Sequence, residues 1–294
     1  MFGFIVNRES GNGYGKKVWS QVESTVIKRD IEYVVRFTER PMHAKEIVAE
    51  LLAKDVETVI VIGGDGTIHE VVNGLVYKNV SLGIIPAGSG NDFARCLGVP
   101  LAYEKALERI FENRPQQVDL LNLGERYSLT VAGIGFDGQV AKNVNEALYK
   151  KYLNFFRLGS LSYAISVLDT LRTYKPTNMQ ITVDGKKLDF ADVWLAAAAN
   201  TTTYGGGIKI SPLSSHTDGK LDICVVHGLR RGKLIRLLPK AFKGKHISAK
   251  EVTLLKGEDI YISSDPPVLV QSDGEQVKQT PLHITVEKRA LTLV

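Results

Sequence analysis

Two turns of small residues could bind a phosphate group. The first, residues 63–67, reads Gly-Gly-Asp-Gly-Thr between an apolar run and a stretch of helical spacing. Its glycines would let a bulky anion approach the backbone, and the helix after it would offer unpaired N–H groups and a positive dipole end. Asp65 would repel a bare phosphate, so we expect a Mg²⁺ between them. The alternative is a plain turn in which Asp65 only caps the helix that follows.

A second turn of this kind follows the next apolar run. Residues 86–92 read Pro-Ala-Gly-Ser-Gly-Asn-Asp, and Ser89 offers a hydroxyl group. A third glycine-rich stretch, residues 10–15, has neither the G-x-G-x-x-G spacing of a dinucleotide site nor the lysine pattern of a P-loop, so alone it indicates little. We expect the first two turns to lie at neighbouring strand ends and to form one phosphate cradle.

Strands and helices alternate along the part of the sequence that contains these turns. Apolar β-branched runs predict strands, and apolar residues at helical spacing predict helices. This order with short turns is typical of a doubly wound, mostly parallel sheet, which binds ligands beyond the carboxyl ends of its strands. The predicted strands cover residues 2–7, 31–38, 58–62 and 81–85, and the predicted helices cover residues 16–28, 41–53 and 68–76.

The pattern changes at about residue 116. Strand-like segments joined by turns follow, interrupted by one helical stretch over residues 143–174. We therefore predict an α/β domain over residues 1–125 and a mainly antiparallel β domain over residues 126–284. Residues 285–294 are a candidate to return to the first domain.

Composition excludes several classes of protein. A chain of 294 residues with 44% hydrophobic and 23% charged residues is globular rather than disordered or fibrous. Its two cysteines, Cys96 and Cys224, form neither a disulfide framework nor a metal-ligand spacing, which predicts a reduced, cytoplasmic setting. No apolar run is long enough to span a membrane, and no basic region precedes the first apolar run, so we expect no signal peptide.

The positive charge is concentrated in one segment. The chain carries a net charge of +5, yet residues 230–250 contain eight basic residues and no acidic one. A nucleic-acid-binding protein would show basic residues more widely, with aromatic residues between them, so we expect no nucleic-acid partner. Apolar residues recur through the segment at helical spacing. The plainer interpretation is a surface helix with a solvated face, and the sharper one is a face that contacts an anionic membrane.

Taken jointly, several blocks resemble the diacylglycerol kinase catalytic-domain family, and specifically its small soluble bacterial lipid kinases. The resemblance covers nearly the whole chain. Residues 63–67 alone would also resemble NAD kinases and phosphofructokinases, but the six blocks together, in this order and spacing, are specific. They are residues 7–11 (NRESG), Thr38 with His43 and Ala44, residues 63–70 (GGDGTIHE), 86–95 (PAGSGNDFAR), 211–222 (SPLSSHTDGKLD) and 272–275 (SDGE).

The resemblance implies a two-domain kinase with its active site in the interdomain cleft, where ATP would bind. Asp65 would organise the phosphates and a catalytic Mg²⁺, and Glu275 would be the general base. Without the resemblance, Glu275 reads as an exposed residue after an Asp-Gly hairpin turn. A second, structural Mg²⁺ would be held by the backbone carbonyls of Ser215 and Lys220 and the carboxylate of Asp218. The implied ATP-binding residues are Asn7, Arg8, Glu9, Ser10, Gly11, Thr38, Gly63, Gly64, Asp65, Gly66, Thr67, Ile68, His69 and Ser89.

The expected reaction is transfer of the γ-phosphoryl group of ATP to a lipid hydroxyl, most simply diacylglycerol to phosphatidic acid, as in phospholipid biosynthesis. Such an enzyme would associate peripherally with a membrane, and a homodimer is plausible. Three departures from the family pattern are Arg8 in place of proline, His69 in place of asparagine and Ser89 in place of threonine.

Two alternatives remain. One is an NAD kinase-like or other small-molecule kinase, although the Thr-Gly-Ser-Thr-Ala-like loop expected of an NAD kinase is absent. The other is a nucleotide- or lipid-binding regulator without turnover.

Overall fold

The computed structural model describes residues 1–146 and 159–294. It divides into two units, each with its own core. The first unit comprises residues 1–120, 126–129 and 287–294, and the second comprises residues 121–125 and 130–286. Part of the helical stretch predicted over residues 143–174 lies outside the described residues.

Parallel strands form the sheet of the first unit. β1 (Phe2–Val6) lies between β2 (Tyr33–Phe37) and β3 (Thr58–Gly63), and β3 also pairs with β4 (Ser81–Pro86). All of these pairings are parallel, so the four strands end at the same edge of the sheet. This confirms the mostly parallel sheet that the alternating pattern predicts.

Burial explains the sequence pattern of β3. Every residue of β3 is buried, as expected of a β-branched strand covered on both faces.

Five helices accompany this sheet. The helices are α1 (Ser10–Lys28), α2 (His43–Leu52), α3 (Asp65–Leu75), α4 (Asp92–Cys96) and α5 (Tyr103–Glu112). The remaining strands of this part of the chain are β5 (Gln116–Asn122) and β6 (Tyr127–Ser128), which pair with each other.

Helix α1 spans Ser10–Lys28, but its regular part begins only after Gly13, close to residue 16, where the prediction starts. Gly11, Asn12 and Gly13 all have left-handed backbone angles, so the first turn is kinked and does not follow regular helical spacing. The glycines tolerate these angles because they carry no Cβ.

The second unit is built on antiparallel strands, as predicted. Strands β7 (Val131–Gly135), β8 (Thr177–Val183) and β9 (Lys186–Ala199) lie next to one another, with β9 in the middle. Alternate residues of β9 face two different cores: Ala196 and Ala198 contribute to one, and Ala197 to the other. The other strands are β10 (Leu221–His227), β11 (Val252–Gly257), β12 (Asp259–Asp265), β13 (Leu269–Ser272), β14 (Glu275–Gln279) and the first part of β15 (Leu282–Leu293). The end of β15 belongs to the first unit, where it pairs in parallel with β4.

The described residues of the second unit also contain the α-helices α6 (Phe136–Glu146), α7 (Gly159–Thr173) and α8 (Arg231–Phe242). Within residues 1–146 and 159–294, no helix combines the length and the apolar character needed to cross a membrane.

Candidate functional site

A pocket of about 470 Å³ lies in the first unit, where its parallel strands end. Asn7 follows β1, Thr38 follows β2, Gly64 follows β3 and Gly88 follows β4. A site beyond the carboxyl ends of parallel strands is the usual ligand position in such a sheet. Ten of the residues predicted to bind ATP line this pocket: Asn7, Glu9, Ser10, Gly11, Thr38, Gly64, Asp65, Gly66, Thr67 and Ser89.

The two glycine turns contact each other through their backbones. A Cβ added to Gly88 would lie only 2.5 Å from the Cα of Gly64. No side chain fits there, so glycine is required for this contact. The side chain of Asn91 closes the second turn, because it accepts a hydrogen bond from the Gly88 N–H at 2.8 Å and donates one to the Gly88 carbonyl at 2.9 Å.

The third glycine-rich stretch, at the start of α1, joins these turns. The amide of Asn7 donates a hydrogen bond to the Thr67 hydroxyl at 2.9 Å, and the Ser10 hydroxyl donates one to the Ala87 carbonyl at 3.1 Å. A Cβ on Gly11 would lie 2.5 Å from the same carbonyl oxygen. The stretch that indicated little by itself thus forms one wall of the pocket.

Asp65 caps a helix, but not the helix that contains it. Its Oδ1 accepts a hydrogen bond from the backbone N–H of Phe93 at 3.0 Å, in the first turn of α4. The N-terminus of α3, at Gly64, has no side-chain cap. Burial raises the pKa of the Asp65 carboxyl, and the Phe93 N–H partly offsets that rise.

The donor set at Asp65 fits a magnesium ion that is shared with a phosphate. Oδ1 has its backbone partner, while Oδ2 lies beside Gly90, where a Cβ would be only 2.9 Å away. The absence of a side chain at Gly90 leaves space next to this oxygen. Mg²⁺ commonly binds through one or two carboxylates together with substrate phosphates.

Four of the predicted ATP-binding residues do not line the pocket. Arg8 stacks on the ring of Phe37, with 4.3 Å between its guanidinium carbon and the ring centroid. Gly63 ends β3, and Ile68 is fully buried in the core of the first unit. His69 is buried too, with its Nε2 at 3.3 Å from the amide nitrogen of Asn73.

Five lining residues were not among the predicted site residues: Glu39, Arg40, Pro41, Glu70 and Gly88. Glu70 supports the pocket structurally, because its carboxylate accepts backbone N–H groups of Met42 and Ala44, each at 2.9 Å, at the start of α2. The first three follow β2 directly after Thr38, so their place at a predicted strand end was the available signal.

Glu275 lies in the second unit, as the first residue of β14. Asp273 and Gly274 form the two-residue turn between β13 and β14, both with positive φ angles, as the Asp-Gly sequence predicts. The Gly274 N–H donates a hydrogen bond to the side chain of Gln271 at 3.0 Å, and Thr130 donates one to the Asp273 carboxylate. Glu275 is therefore an exposed carboxylate on a well-fixed hairpin.

The predicted second magnesium site has a competing cation. Asp218 accepts the Lys220 N–H on Oδ1 at 3.1 Å, and the Lys256 ammonium lies 2.8 Å from Oδ2. Lys256 also pairs with Asp222 at 3.2 Å, and its bond to Asp218 raises the pKa of the Lys256 side chain. A Mg²⁺ at Asp218 would have to displace this ammonium, so these residues do not fit the ion as they are arranged. In the described parts of the chain, no three His, Cys, Asp or Glu side chains are grouped to hold a metal.

Comparison with known proteins gives matches for both units. A family model described as "Diacylglycerol kinase catalytic domain" matches residues 1–123, and one described as "YegS C-terminal NAD kinase beta sandwich-like domain" matches residues 130–294. "Putative lipid kinase YtlR" of Bacillus subtilis is 33% identical over 96% of this chain and 95% of its own length. "Diacylglycerol kinase" of Mycobacterium tuberculosis is 31% identical over 99% of this chain and 93% of its own.

A solved structure resembles the whole chain. "Crystal structure of a putative diacylglycerol kinase from Bacillus anthracis str. Sterne" matches with a TM-score of 0.82 and 26% identity. The match covers 100% of this chain and 96% of that one.

Proposed function

We propose a reaction for this chain from one premise: it belongs to the diacylglycerol kinase catalytic-domain family. The proposed reaction is transfer of the γ-phosphoryl group of ATP to the hydroxyl of a membrane lipid. Diacylglycerol is the leading acceptor, because curated relatives carry that name, and the product would then be phosphatidic acid. The enzyme would work from the cytoplasm, at the membrane surface where its acceptor lies.

The pocket of the first unit carries this proposal. Its volume of about 470 Å³ falls in the range of small-molecule sites. Its walls are backbone-rich turns at the ends of four parallel strands, and the N-terminus of α3 faces it through Gly64, Asp65 and Gly66. Backbone N–H groups at a helix N-terminus suit phosphate oxygens. The hydroxyls of Thr67 and Ser89 add hydrogen-bond donors for the same anion.

Asp65 would hold the catalytic magnesium through the oxygen beside Gly90. When bound, the ion would neutralise charge on the phosphate oxygens during transfer. The chain's own contribution is to position the polyphosphate against the two glycine turns, whose contact at Gly64 and Gly88 leaves no room for a side chain. Most of the catalytic effect in phosphoryl transfer comes from such positioning and charge stabilisation.

Glu275 would accept the proton of the lipid hydroxyl. A lipid hydroxyl is a weak nucleophile, so a carboxylate placed to receive its proton in the transition state accelerates the attack. The support for Glu275 is its match to the family block and its exposure on a fixed hairpin. No step is assigned to the loop of Ser215, Asp218 and Lys220.

The test is incubation of the full chain with ATP labelled in its γ-phosphate, Mg²⁺ and a total lipid extract. Label in the organic phase, in a species that co-migrates with phosphatidic acid, supports the proposal. Label in an aqueous product would favour the NAD kinase-like alternative, and ATP that stays intact with every lipid would favour a regulator without turnover.

A further inference from the structure

Helix α8 of the second unit carries an apolar stripe on its outer side. Leu237 and Ala241 are buried and fix the helix to the unit. Three other large apolar side chains of the helix point away from that contact: Ile235 is 51% exposed, Leu238 37% and Phe242 47%. Because their spacings are three and four residues, they lie on one face of the helix.

Basic residues lie on the next face of the helix, since Arg236, Lys240 and Lys243 are turned by about 80–160° from the stripe at 3.6 residues per turn. Residues 230–250 contain eight basic residues and no acidic one. Two of them have partners in the unit: Arg231 donates to the Tyr174 carbonyl at 2.9 Å, and Lys233 pairs with Glu251 at 2.6 Å. The other six are exposed: Arg230, Arg236, Lys240, Lys243, Lys245 and Lys250.

The exposed apolar stripe and the basic residues together decide between the two interpretations of this segment, a solvated surface helix and a face that contacts an anionic membrane. A solvated face would carry polar side chains at positions 235, 238 and 242, where this helix has large apolar ones. A helix that lies in a membrane interface combines apolar side chains with Lys and Arg. The basic residues require an anionic partner, and the apolar stripe requires a partner that can bury apolar side chains.

We propose that α8 docks this chain onto an anionic phospholipid bilayer. The docking surface is formed by Ile235, Leu238 and Phe242 together with Arg236, Lys240 and Lys243. This inference rests on the proposed function, because it states how the enzyme reaches an acceptor that stays in the membrane. Each basic residue near an anionic bilayer strengthens binding about five-fold, since it contributes about 1 kcal/mol.

The experiment measures binding of the full chain to sedimented vesicles. The vesicles contain phosphatidylcholine alone or with roughly 30 mol% phosphatidylglycerol. The wild type binds the anionic vesicles, binds the neutral ones weakly, and loses binding as salt is raised. Replacing Arg236, Lys240 and Lys243 by Glu weakens binding to anionic vesicles by on the order of 100-fold or more, because three such contributions are removed.

A second variant tests the apolar stripe. Ile235→Gln with Phe242→Gln keeps the net charge, and both side chains are exposed, so the fold is retained. Binding to anionic vesicles falls by roughly ten-fold or more as two apolar side chains no longer enter the interface. The matched control replaces exposed Lys28, Lys186 and Lys187 by Glu, which alters the net charge as much as the first variant does. This control binds nearly as the wild type does.

Three results would overturn the inference. One is unchanged vesicle binding in both α8 variants, and another is an equal loss in the Lys28 control. The third is a wild-type dimer that becomes monomeric in the Phe242 variant, since the stripe would then be covered by a second copy. Phosphorylation of a short-chain, monomerically dissolved diacylglycerol tests the proposed function separately, because it needs no bilayer. If that activity is absent while vesicle binding behaves as expected, the proposed function fails and the docking surface stands.

Discussion

The Asp65 carboxylate accepts a hydrogen bond from the Phe93 backbone N–H, 3.0 Å away. Asp65 lies in the first turn of α3, and Phe93 lies in the first turn of α4. The bond therefore ties the helix after the first glycine turn to the helix after the second. One carboxylate oxygen joins the two helices, and the other lies beside Gly90, where we propose that a cation binds.

This double role predicts different results for two substitutions of Asp65. Asp65→Asn keeps an oxygen that can accept the Phe93 N–H, so its melting temperature stays near that of the wild type. It loses the negative charge that would hold the cation, so kcat falls by at least about 100-fold. Asp65→Ala loses both the charge and the hydrogen bond, and its free energy of unfolding falls by about 1 kcal/mol more than that of Asp65→Asn. Thermal unfolding and steady-state kinetics measure the two effects. Wild-type kcat in Asp65→Asn would show that the charge has no catalytic role.

The contact between the glycine turns gives a second prediction. Gly88→Ala places a Cβ 2.5 Å from the Gly64 Cα, so the turns must separate. We expect a loss of about 1–3 kcal/mol in stability and weaker ATP binding, measured by calorimetry. Gly232→Ala is the control, because a Cβ at that helical position has no heavy atom within 4 Å. Equal ATP affinity in Gly88→Ala and Gly232→Ala would show that this pocket does not bind the phosphates of ATP.

Glu275 should affect transfer without affecting nucleotide binding. Glu275→Gln keeps the size of the side chain but cannot take a proton, so kcat falls by about 10²–10⁴-fold. The dissociation constant for ATP changes little. Glu258→Gln, another exposed carboxylate of the second unit, is the matched control and keeps wild-type kcat. A Glu275→Gln enzyme with normal turnover would rule out the base assignment.

Buried Asp137 predicts a specific pH dependence of stability. Burial raises the pKa of Asp137 from 3.8 to about 6, although its hydrogen bond from Gln271 at 2.7 Å acts in the opposite direction. The folded state therefore binds the proton more tightly than the unfolded state. The stability contributed by this group is highest below the unfolded pKa and is lost as the pH rises from about 4 to about 6.

Asp137→Asn isolates this effect, because asparagine can accept the same hydrogen bond and does not ionise. The difference in unfolding free energy between the variant and the wild type should shift in favour of the variant across this range, by on the order of 2–3 kcal/mol. Denaturant unfolding at several pH values measures it. A difference that stays constant from pH 4 to pH 7 would contradict the assigned cause.

The Lys256 ammonium predicts how the loop at Asp218 responds to metal. In the nucleotide-free wild type, Mg²⁺ has to compete with Lys256 for the Asp218 carboxylate. Lys256→Met removes the competitor, so added Mg²⁺ should raise the melting temperature of this variant more than that of the wild type. Adding Asp218→Asn to Lys256→Met should abolish the extra shift. An equal shift in the wild type would show that Lys256 does not occupy the cation position.

The sequence predicted the strands and turns that depend on residues close together in the chain. The apolar run of residues 58–62 became the fully buried β3, and Asp273-Gly274 became the two-residue hairpin turn. The two fold classes, parallel α/β and antiparallel β, also followed from the change of period along the chain. The helix after β3 starts at Asp65 rather than at residue 68, because Gly64 takes an extended conformation and lets the helix begin within the turn.

Contacts between residues distant in sequence could not be predicted. The bond from Phe93 to Asp65, the capping of α2 by Glu70 and the pairing of Lys256 with Asp218 all join separate segments. The sequence shows which residues form a turn, but it does not show which other turn that turn contacts. The role of Glu275 stays a prediction, since it came from the family resemblance and from no local pattern.

We propose that the glycine-lined pocket presents ATP for transfer to a lipid. Thin-layer separation of the organic extract tests this, after the chain is incubated with Mg²⁺, γ-labelled ATP and dioctanoylglycerol. We expect labelled phosphatidic acid with the wild type and at most about one hundredth of that rate with Asp65→Asn. No labelled lipid from the wild type, or equal label from both proteins, would contradict it.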